Sequence, residues 1–342
     1  MPMKEIIITA NDAGRRLDRF LRKYLKNASL GEIYKLIRKD VKVDGRRRDQ
    51  SYVLCEGEAL TLYLSDEVLD MMTGADRGSS SPSARRDGRK AKKQFRIIFE
   101  DDNILVADKP YGLLTHGDAQ EKKNHLANQV RDYLIEQGEY DPRTERVFAP
   151  APANRIDRNT TGLVLFGKTS AALKALNEMI REDMVDKYYL TIVHGVLRDE
   201  MTLTGTLTKD ASANKVTIAG GGADGLDITT VVKPLEVLHY GNGFAATLTE
   251  VRLVTGRSHQ IRAHLASIGH PVIGDIKYAS AGARKANEYI GSRYHLTTQL
   301  LHAYRIEIRE ATEELRYLQG RSFTAPLPQN FDRILGSMRS GR

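Results

Sequence analysis

One carboxylate flanked by two guanidinium groups marks the stretch of this chain that is best suited to chemistry. Asp157 lies two positions after Arg155 and directly before Arg158, in a polar loop that runs into the apolar segment 163–166. Neighbouring positive charge favours the ionised form of a carboxyl group, so we expect Asp157 to be a carboxylate. Such a group, on a loop backed by a rigid strand, can serve as a nucleophile, as a base or as a structural anchor.

A second dense polar stretch covers residues 255–271, and its apolar residues recur at helical spacing over 258–267. Arg262 follows the apolar Ile261 by one position, so its side chain is expected to project beside the buried face of the helix. A half-buried guanidinium requires a carboxylate partner. Asp157 is the natural candidate.

The sequence predicts neither a metal site nor a cofactor. His259, His264 and His270 do not have the spacing of the HExxH metal motif. The single cysteine, Cys55, excludes an intramolecular disulfide and any CxxC site. The dinucleotide fingerprint and the phosphate-binding P-loop are also absent, because the glycine run 220–222 precedes no helix and is predicted to be a mobile loop.

Two adjacent tyrosines lie in the predicted strand 188–193 and should point to opposite faces of a sheet. One of Tyr188 and Tyr189 can then pack in the core while the other opens to a pocket. A pocket tyrosine next to a nucleic-acid surface would be a stacking platform for an unpaired base. The alternative is that both tyrosines simply pack in the sheet.

The charge balance is basic, with 52 Lys and Arg against 44 Asp and Glu and a net charge of +8. This excess favours a polyanionic partner, nucleic acid first, although a merely basic enzyme would show the same balance. No apolar run approaches the roughly 18–20 residues of a membrane span. We therefore expect a cytoplasmic protein.

The first 65 residues predict a small α+β domain. Apolar residues follow helical spacing over 17–25 and 33–37, and strands are predicted at 41–43 and 60–64. Cations lie off the apolar stripes and could form a platform for RNA phosphates, or merely a solvated face. These cations are Arg15, Arg16, Arg19, Lys35, Arg38 and Lys39.

Residues 66–94 have the composition of a flexible linker, rich in Gly and Ser and then in Arg and Lys. The basic run 85–93 could contact nucleic-acid backbone or be a solvated spacer. Residues 95–330 alternate many short strands with a few helices, which predicts an α+β domain with a mixed, largely antiparallel sheet and flanking helices and loops. Residues 331–342 are expected to form a C-terminal tail.

Two family resemblances rest on these motifs. The N-terminal part resembles the S-four-like RNA-binding module in residues 14–21, 33–38 and 41–45. Over roughly 95–330 the chain resembles an RluA-type pseudouridine synthase. That resemblance is carried by residues 108–113, 155–163, 187–189, 256–265, 269–275, 301–305 and 325–328. The combined layout is similar to the branch of the family that modifies large-subunit ribosomal RNA.

The resemblance implies roles for the residues singled out above. Asp157 would be the nucleophile that breaks the uracil glycosidic bond, whether it attacks the sugar or the base. Tyr189 would stack on the target uracil, Arg262 would pair with Asp157, and Arg155 would fill the space left by the flipped nucleotide. The substrate-binding set would add Arg257 and Gln260 to Arg155. The resemblance implies no cofactor and no metal, and we expect a monomer bound to RNA.

One position departs from the family pattern. Asn154 stands directly before the arginine of the aspartate motif, where the family usually has histidine. Asparagine keeps hydrogen bonding but loses titration and ring stacking. Two alternatives follow from the sequence: a non-catalytic RNA-binding or ribosome-assembly protein that keeps the fold, and a similar synthase that acts on transfer RNA.

Overall fold

The computed structural model describes residues 3–74, 93–210, 215–219, 225–240 and 243–340. Most of the predicted basic run and the glycine run 220–222 lie outside these ranges. The chain divides into two compact units. The first unit contains Met1–Lys93, Gln129–Ala151 and Lys168–Ala171, and the second contains Gln94–Asn128, Pro152–Gly167 and Ala172–Arg342.

The first unit is built on a small antiparallel sheet and short helices. Its elements are β1 (Lys4–Ile7), α1 (Leu17–Tyr24), α2 (Leu30–Lys39), β2 (Val41–Val43), β3 (Ala59–Leu62) and α3 (Asp66–Thr73). The strand order is β1-β3-β2. A capping box starts α2, because the Ser29 hydroxyl accepts the Glu32 amide while the Glu32 carboxylate accepts the Ser29 amide. The predicted apolar stripes of α1 and α2 form the core of this unit.

The first residues of the predicted linker form helix α3 instead. Ser65 caps the helix by accepting the amide of Val68, and Gly74 ends it in the left-handed conformation. Leu69 is buried against the core of the first unit. The composition of residues 66–94 taken as a whole concealed these local helix signals.

The segment 129–151 belongs to the first unit, although the sequence boundary at residue 95 assigned it to the later domain. The buried Asp12 carboxylate accepts the backbone amides of residues 146–148 at 3.0–3.3 Å. Asn11 holds the same segment through the Glu145 carboxylate at 2.5 Å. These charge-assisted bonds tie two parts of the sequence that no local pattern connects.

The remaining strands form one large sheet. They are β4 (Arg96–Glu100), β5 (Ile104–Lys109), β6 (Ala151–Pro152), β7 (Thr161–Gly167), β8 (Val185–His194), β9 (Met201–Asp210), β10 (Lys215–Ala219), β11 (Leu226–Tyr240), β12 (Phe244–Leu253), β13 (Leu301–Ile308) and β14 (Ser322–Thr324). The main path is β10-β9-β11-β12-β8-β13-β7-β5-β4, with β14 beside β13 and β6 beside β7. Along this path β7 and β13 run parallel, and the other neighbours are antiparallel.

Helices accompany this sheet, which confirms the predicted α+β class with a mixed, largely antiparallel sheet. They are α5 (Ser170–Arg181), α6 (Gln260–Ser267), α7 (Ala281–Tyr294) and α8 (Gln329–Arg339), while α4 (Leu126–Gln137) lies mostly in the first unit. The predicted C-terminal tail is wrong over its first part, because α8 buries Phe331, Ile334, Leu335 and Met338 in the core beside β11 and β12. None of the helices in the described ranges is long and apolar enough to cross a membrane.

Candidate active site

The loop that bears Asp157 is fastened to strand β7 by an asparagine side chain. The Oδ1 atom of Asn154 accepts the Leu165 amide at 2.8 Å, and its Nδ2 donates to the Leu163 carbonyl at 3.5 Å. The amide thus pairs with the strand as an extra piece of backbone would. Asn154, the departure from the family pattern, therefore has a structural role at the base of this loop.

A buried lysine supports the same loop from behind. The Lys109 ammonium donates to the carbonyl oxygens of Pro110, Leu113 and Arg158 at 3.0, 2.7 and 3.0 Å. Burial lowers the pKa of Lys109 to about 7, against the opposing influence of the nearby Asp157 charge. These three bonds join the turn after β5 to the residue that follows Asp157.

The exit of the loop requires a glycine. Gly162 has φ near 109°, and a Cβ atom there would collide with the Ala303 carbonyl oxygen on the parallel strand β13. The entry to the loop is held by Thr115, whose hydroxyl donates to the Ile156 carbonyl at 2.9 Å. The carboxylate is therefore positioned by backbone that is fixed on both sides.

Asp157 faces a cavity of about 260 Å³ in the second unit. Tyr189 lines this cavity and is only 5% exposed. Burial, helped by the negative charge of Asp157, raises the pKa of the Tyr189 phenol, so this side chain stays neutral. Tyr188 points to the other sheet face, where the Arg305 guanidinium lies 4.0 Å from its ring centre. The prediction that one of the two tyrosines opens to a pocket is confirmed.

The main partner of Arg262 is Asp275 rather than Asp157. Its Nε and Nη2 atoms donate to the two carboxylate oxygens of Asp275 at 2.6 and 2.9 Å, in a bidentate pair that is almost fully buried. The remaining Nη1 atom lies 3.6 Å from Oδ2 of Asp157. The sequence prediction was therefore incomplete, since a planar guanidinium can bind one carboxylate with two nitrogens and reach a second with the third.

His259 is the site residue that the sequence analysis missed. Its Nε2 atom lies 3.8 Å from Oδ2 of Asp157, and its backbone has a left-handed φ of 57°. Its Nδ1 atom lies 3.0 Å from the hydroxyl of Tyr278, which accepts the Val216 amide at 3.0 Å. Burial lowers the pKa of His259, which favours the neutral ring.

The Asp157 carboxylate favours one tautomer of that neutral ring. A carboxylate can only accept, so a proton on Nε2, the nitrogen 3.8 Å from Oδ2 of Asp157, is electrostatically favoured. In that tautomer Nδ1 accepts the hydroxyl hydrogen of Tyr278 at 3.0 Å. Neither partnership could be read from the sequence, since residues 275 and 278 follow the helix that they support.

The other predicted substrate-binding residues differ in availability. Arg155 and Arg257 are exposed at the cavity rim. Gln260 is 1% exposed, and its amide donates to the Thr229 carbonyl and the Thr230 hydroxyl while its oxygen accepts from the Thr255 hydroxyl and the Arg257 amide. Two donors and two acceptors exhaust the hydrogen bonds of a glutamine side chain. Gln260 therefore braces the loop and has no polar group left for a substrate.

The histidines considered as metal ligands have other partners. His264 bonds the Thr230 hydroxyl at 2.8 Å, and His270 bonds the carbonyl of His194 at 2.8 Å. Within the described ranges, no group of three or more His, Cys, Asp or Glu residues is arranged to hold a metal ion.

The predicted cationic platform lies on the first unit and is only partly available. Arg19, Lys35, Arg38 and Lys39 are exposed. The remaining two have internal partners: Arg16 binds the Asp18 carboxylate at 2.7 and 3.2 Å, and Arg15 donates to the Ser170 hydroxyl at 3.4 Å.

Comparisons with known proteins agree with this geometry. The profile described as RNA pseudouridylate synthase matches residues 103–267, which include Asp157, Tyr189 and Arg262. The ribosomal large subunit pseudouridine synthase C of Vibrio vulnificus is 30% identical over 96% of this chain and 95% of its own length. That of Escherichia coli K12 is 29% identical over 99% and 98%.

A solved structure shares the fold. The human RNA pseudouridylate synthase domain containing 4 protein has 21% identity and a TM-score of 0.53, and the match covers 71% of this chain and 92% of that one. The carboxylate at the cavity, the family profile and the full-length relatives together lead to one conclusion. The chain belongs to the RluA-type RNA pseudouridine synthases.

Proposed function

We propose that this RNA pseudouridine synthase acts on large-subunit ribosomal RNA and uses Asp157 as its nucleophile. The observation that carries the proposal is that the two oxygens of the Asp157 carboxylate differ in their contacts. Arg262 and His259 both approach Oδ2, at 3.6 and 3.8 Å. Oδ1 makes no hydrogen bond within the part of the chain that is described. One oxygen is thus held by positive and N–H groups while the other is left for attack.

The chemistry requires the target uridine to leave its stack, which costs a few kcal/mol. Tyr189 supplies a neutral aromatic face in the cavity, and Arg155 at the rim is long enough to occupy the vacated position in the RNA. Stacking of a base on an aromatic side chain offsets about 1–3 kcal/mol of that cost. We assign these two residues to extrusion and capture of the nucleotide.

A covalent carboxylate intermediate would divide the isomerisation into two easier steps. Attack by Asp157 on the sugar or on the uracil ring allows the bond between N1 and C1′ to break. The detached uracil then rotates, C5 bonds to C1′ and displaces any bond to Asp157, C5 loses its proton, and N1 gains one, so that the product is an isomer of the substrate. The negative charge of Asp157 returns when its bond to the substrate breaks. Arg262 and the Nε2–H of His259 stabilise the carboxylate at that step.

The choice of ribosomal RNA is supported by two observations. The curated relatives named as large-subunit synthases align over almost the whole chain, the N-terminal part included. The first unit also exposes cations on α1 and α2, among them Arg19, Lys35, Arg38 and Lys39, consistent with an RNA-binding module. We propose that Arg19, Lys35, Arg38 and Lys39 contact phosphates. Replacing them with glutamine should lower the slope of log affinity against log salt by about 0.7–0.9 per lost contact.

Mapping of pseudouridines tests the substrate assignment. Ribosomal and transfer RNA would be sequenced from cells that lack the gene and from cells complemented with the wild type, with Asp157→Asn or with Asp102→Asn. Asp102 is exposed and lies outside the cavity, so it provides the matched carboxylate control. We expect lost sites in large-subunit RNA that the wild type and Asp102→Asn restore. Losses confined to transfer RNA would contradict the substrate assignment.

A further inference from the structure

A second pocket opens beside the Asp157 loop, within the same unit. It has a volume of about 190 Å³, and its walls include Leu300, Leu301 and the aromatic ring of Phe331. Tyr111, which is 53% exposed, lies at its edge. We call this space the side pocket. Its volume is comparable to the 260 Å³ of the catalytic cavity, which must hold one uracil.

An open groove connects the two spaces. It has a volume of about 470 Å³, shares Asp157 and Arg262 with the catalytic cavity, and shares Asn159 and Gln299 with the side pocket. The walls of the groove also include the cationic Arg158. A nucleic-acid strand lying along the groove would therefore pass from one space to the other beside the cationic Arg158 and Lys277.

Two amide side chains of the side pocket have hydrogen-bonding groups that no protein group in the described part of the chain uses. Gln299 is only 6% exposed, and its Oε1 atom accepts the Thr298 hydroxyl at 2.6 Å. Its Nε2 atom makes no hydrogen bond within the described ranges, and the same holds for the side-chain amide of Asn159. Amide groups that line a pocket and have no protein partner can bond a ligand. A ligand that enters the pocket would supply the missing acceptor and donor.

We propose that the side pocket binds a second unpaired nucleobase of the RNA substrate, one or two nucleotides from the target uridine. Apolar and aromatic walls with a few amide groups suit the face and the edge of a base. The pocket has no Arg or Lys in its lining, which disfavours a phosphate. Asn159 is two residues from Asp157, at most about 7 Å along the chain, so the two spaces lie close enough for neighbouring nucleotides of one strand.

This inference rests on the RNA synthase activity but not on which RNA is the natural target. It gives the enzyme a way to recognise sequence next to the modified uridine without reading a duplex. Holding a neighbouring base outside the stack would also keep the target strand open while uracil rotates. The site would thus contribute to specificity and to capture.

Binding to synthetic stem-loops tests the proposal. Each RNA would carry the mapped target uridine and a single abasic residue. The abasic residue would lie one or two nucleotides from the target, on its 5′ or its 3′ side. We expect one such position to raise Kd about ten-fold, as the loss of one stacked base should. The variants Gln299→Leu and Tyr111→Ala should each weaken binding of the intact RNA by about five-fold or more. Neither should weaken binding of the RNA that lacks a base at that position.

A matched control is Gln319→Leu, because Gln319 is exposed and lines neither the pocket nor the groove. It should leave Kd unchanged for every RNA. The proposal would be overturned if no flanking abasic residue changed Kd, or if the pocket variants weakened intact and abasic RNAs equally. Tyr111→Ala keeps the test informative if Gln299→Leu destabilises the fold, since Tyr111 is exposed. If the substrate assignment alone were wrong, the mapped uridine would lie in another RNA and the same design would apply.

Discussion

Replacing Asp275 with asparagine tests whether this residue positions Arg262 for catalysis in addition to stabilising the fold. The carboxylate of Asp275 is fully buried and accepts Nε and Nη2 of Arg262 at 2.6 and 2.9 Å. It also accepts the backbone amides of Lys277 and Tyr278, at 2.9 and 3.2 Å. The asparagine side chain would keep the shape and one acceptor oxygen but would remove the charge that holds the guanidinium.

The expected cost follows from the burial of the pair. Removing one partner of a buried ion pair costs about 3–5 kcal/mol. The amide oxygen of asparagine and the nearby Asp157 offset part of this loss, so we expect a cost of about 3 kcal/mol in unfolding free energy, at the lower end of that range. The released Arg262 should move towards Asp157, from 3.6 Å to a hydrogen-bonded distance near 2.8 Å. A misplacement approaching 1 Å can cost about a hundred-fold in rate.

Urea unfolding and single-turnover isomerisation would measure the two effects. Asp186→Asn is the matched control, because Asp186 is buried, binds Arg252 and Arg309 at 3.0 Å, and points to the sheet face opposite Tyr189. Both variants should lose stability, but only Asp275→Asn should lose rate, by about ten-fold or more. Equal rates in the two variants would refute the reasoning that Asp275 positions Arg262 for catalysis.

Three further predictions concern single residues. Tyr278→Phe should lower the turnover rate by about two- to ten-fold, since it removes the hydroxyl that holds Nδ1 of His259; an unchanged rate would contradict that positioning role. Gly162→Ala should cost about 3 kcal/mol or more in urea unfolding, because its Cβ would collide with the Ala303 carbonyl. Burial lowers the pKa of His302 to about 4. In the unfolded chain the His302 side chain binds a proton near pH 6.5. The free energy of unfolding should therefore fall by about 3 kcal/mol as pH falls from 6.5 to 4. The loss over this pH range should be smaller in His302→Gln.

Much of the sheet could be predicted because its strands carry local signals. The β-branched and aromatic runs along β5, β7, β8 and β12 lie between turn residues, and each of these runs forms a largely buried strand. Helices α7 and α8 were missed for different reasons. The first half of the buried face of α7 is made of Ala283 and Ala286, which give a weak periodic signal, and α8 was hidden in a segment assigned to a tail.

The site was predictable as far as its chemistry lies in short motifs. Asp157, Tyr189 and Arg262 stand out by residue type and neighbours, and the cavity brings them together. The supporting contacts did not stand out, because Asp275 and Tyr278 become partners only when their loop folds back on α6. Gln260 shows the converse: a polar residue in a functional motif whose hydrogen bonds are all internal.

The most direct test of the central claim is tritium release from RNA labelled at uracil C5, with wild type, Asp157→Asn and the control Asp102→Asn. Isomerisation replaces the hydrogen at C5 with the bond to C1′, so released tritium counts turnovers. We expect full release with the wild type and Asp102→Asn. With Asp157→Asn we expect release at background level, with RNA binding retained within a few-fold. Release by Asp157→Asn at the wild-type rate would contradict the role of Asp157 as nucleophile.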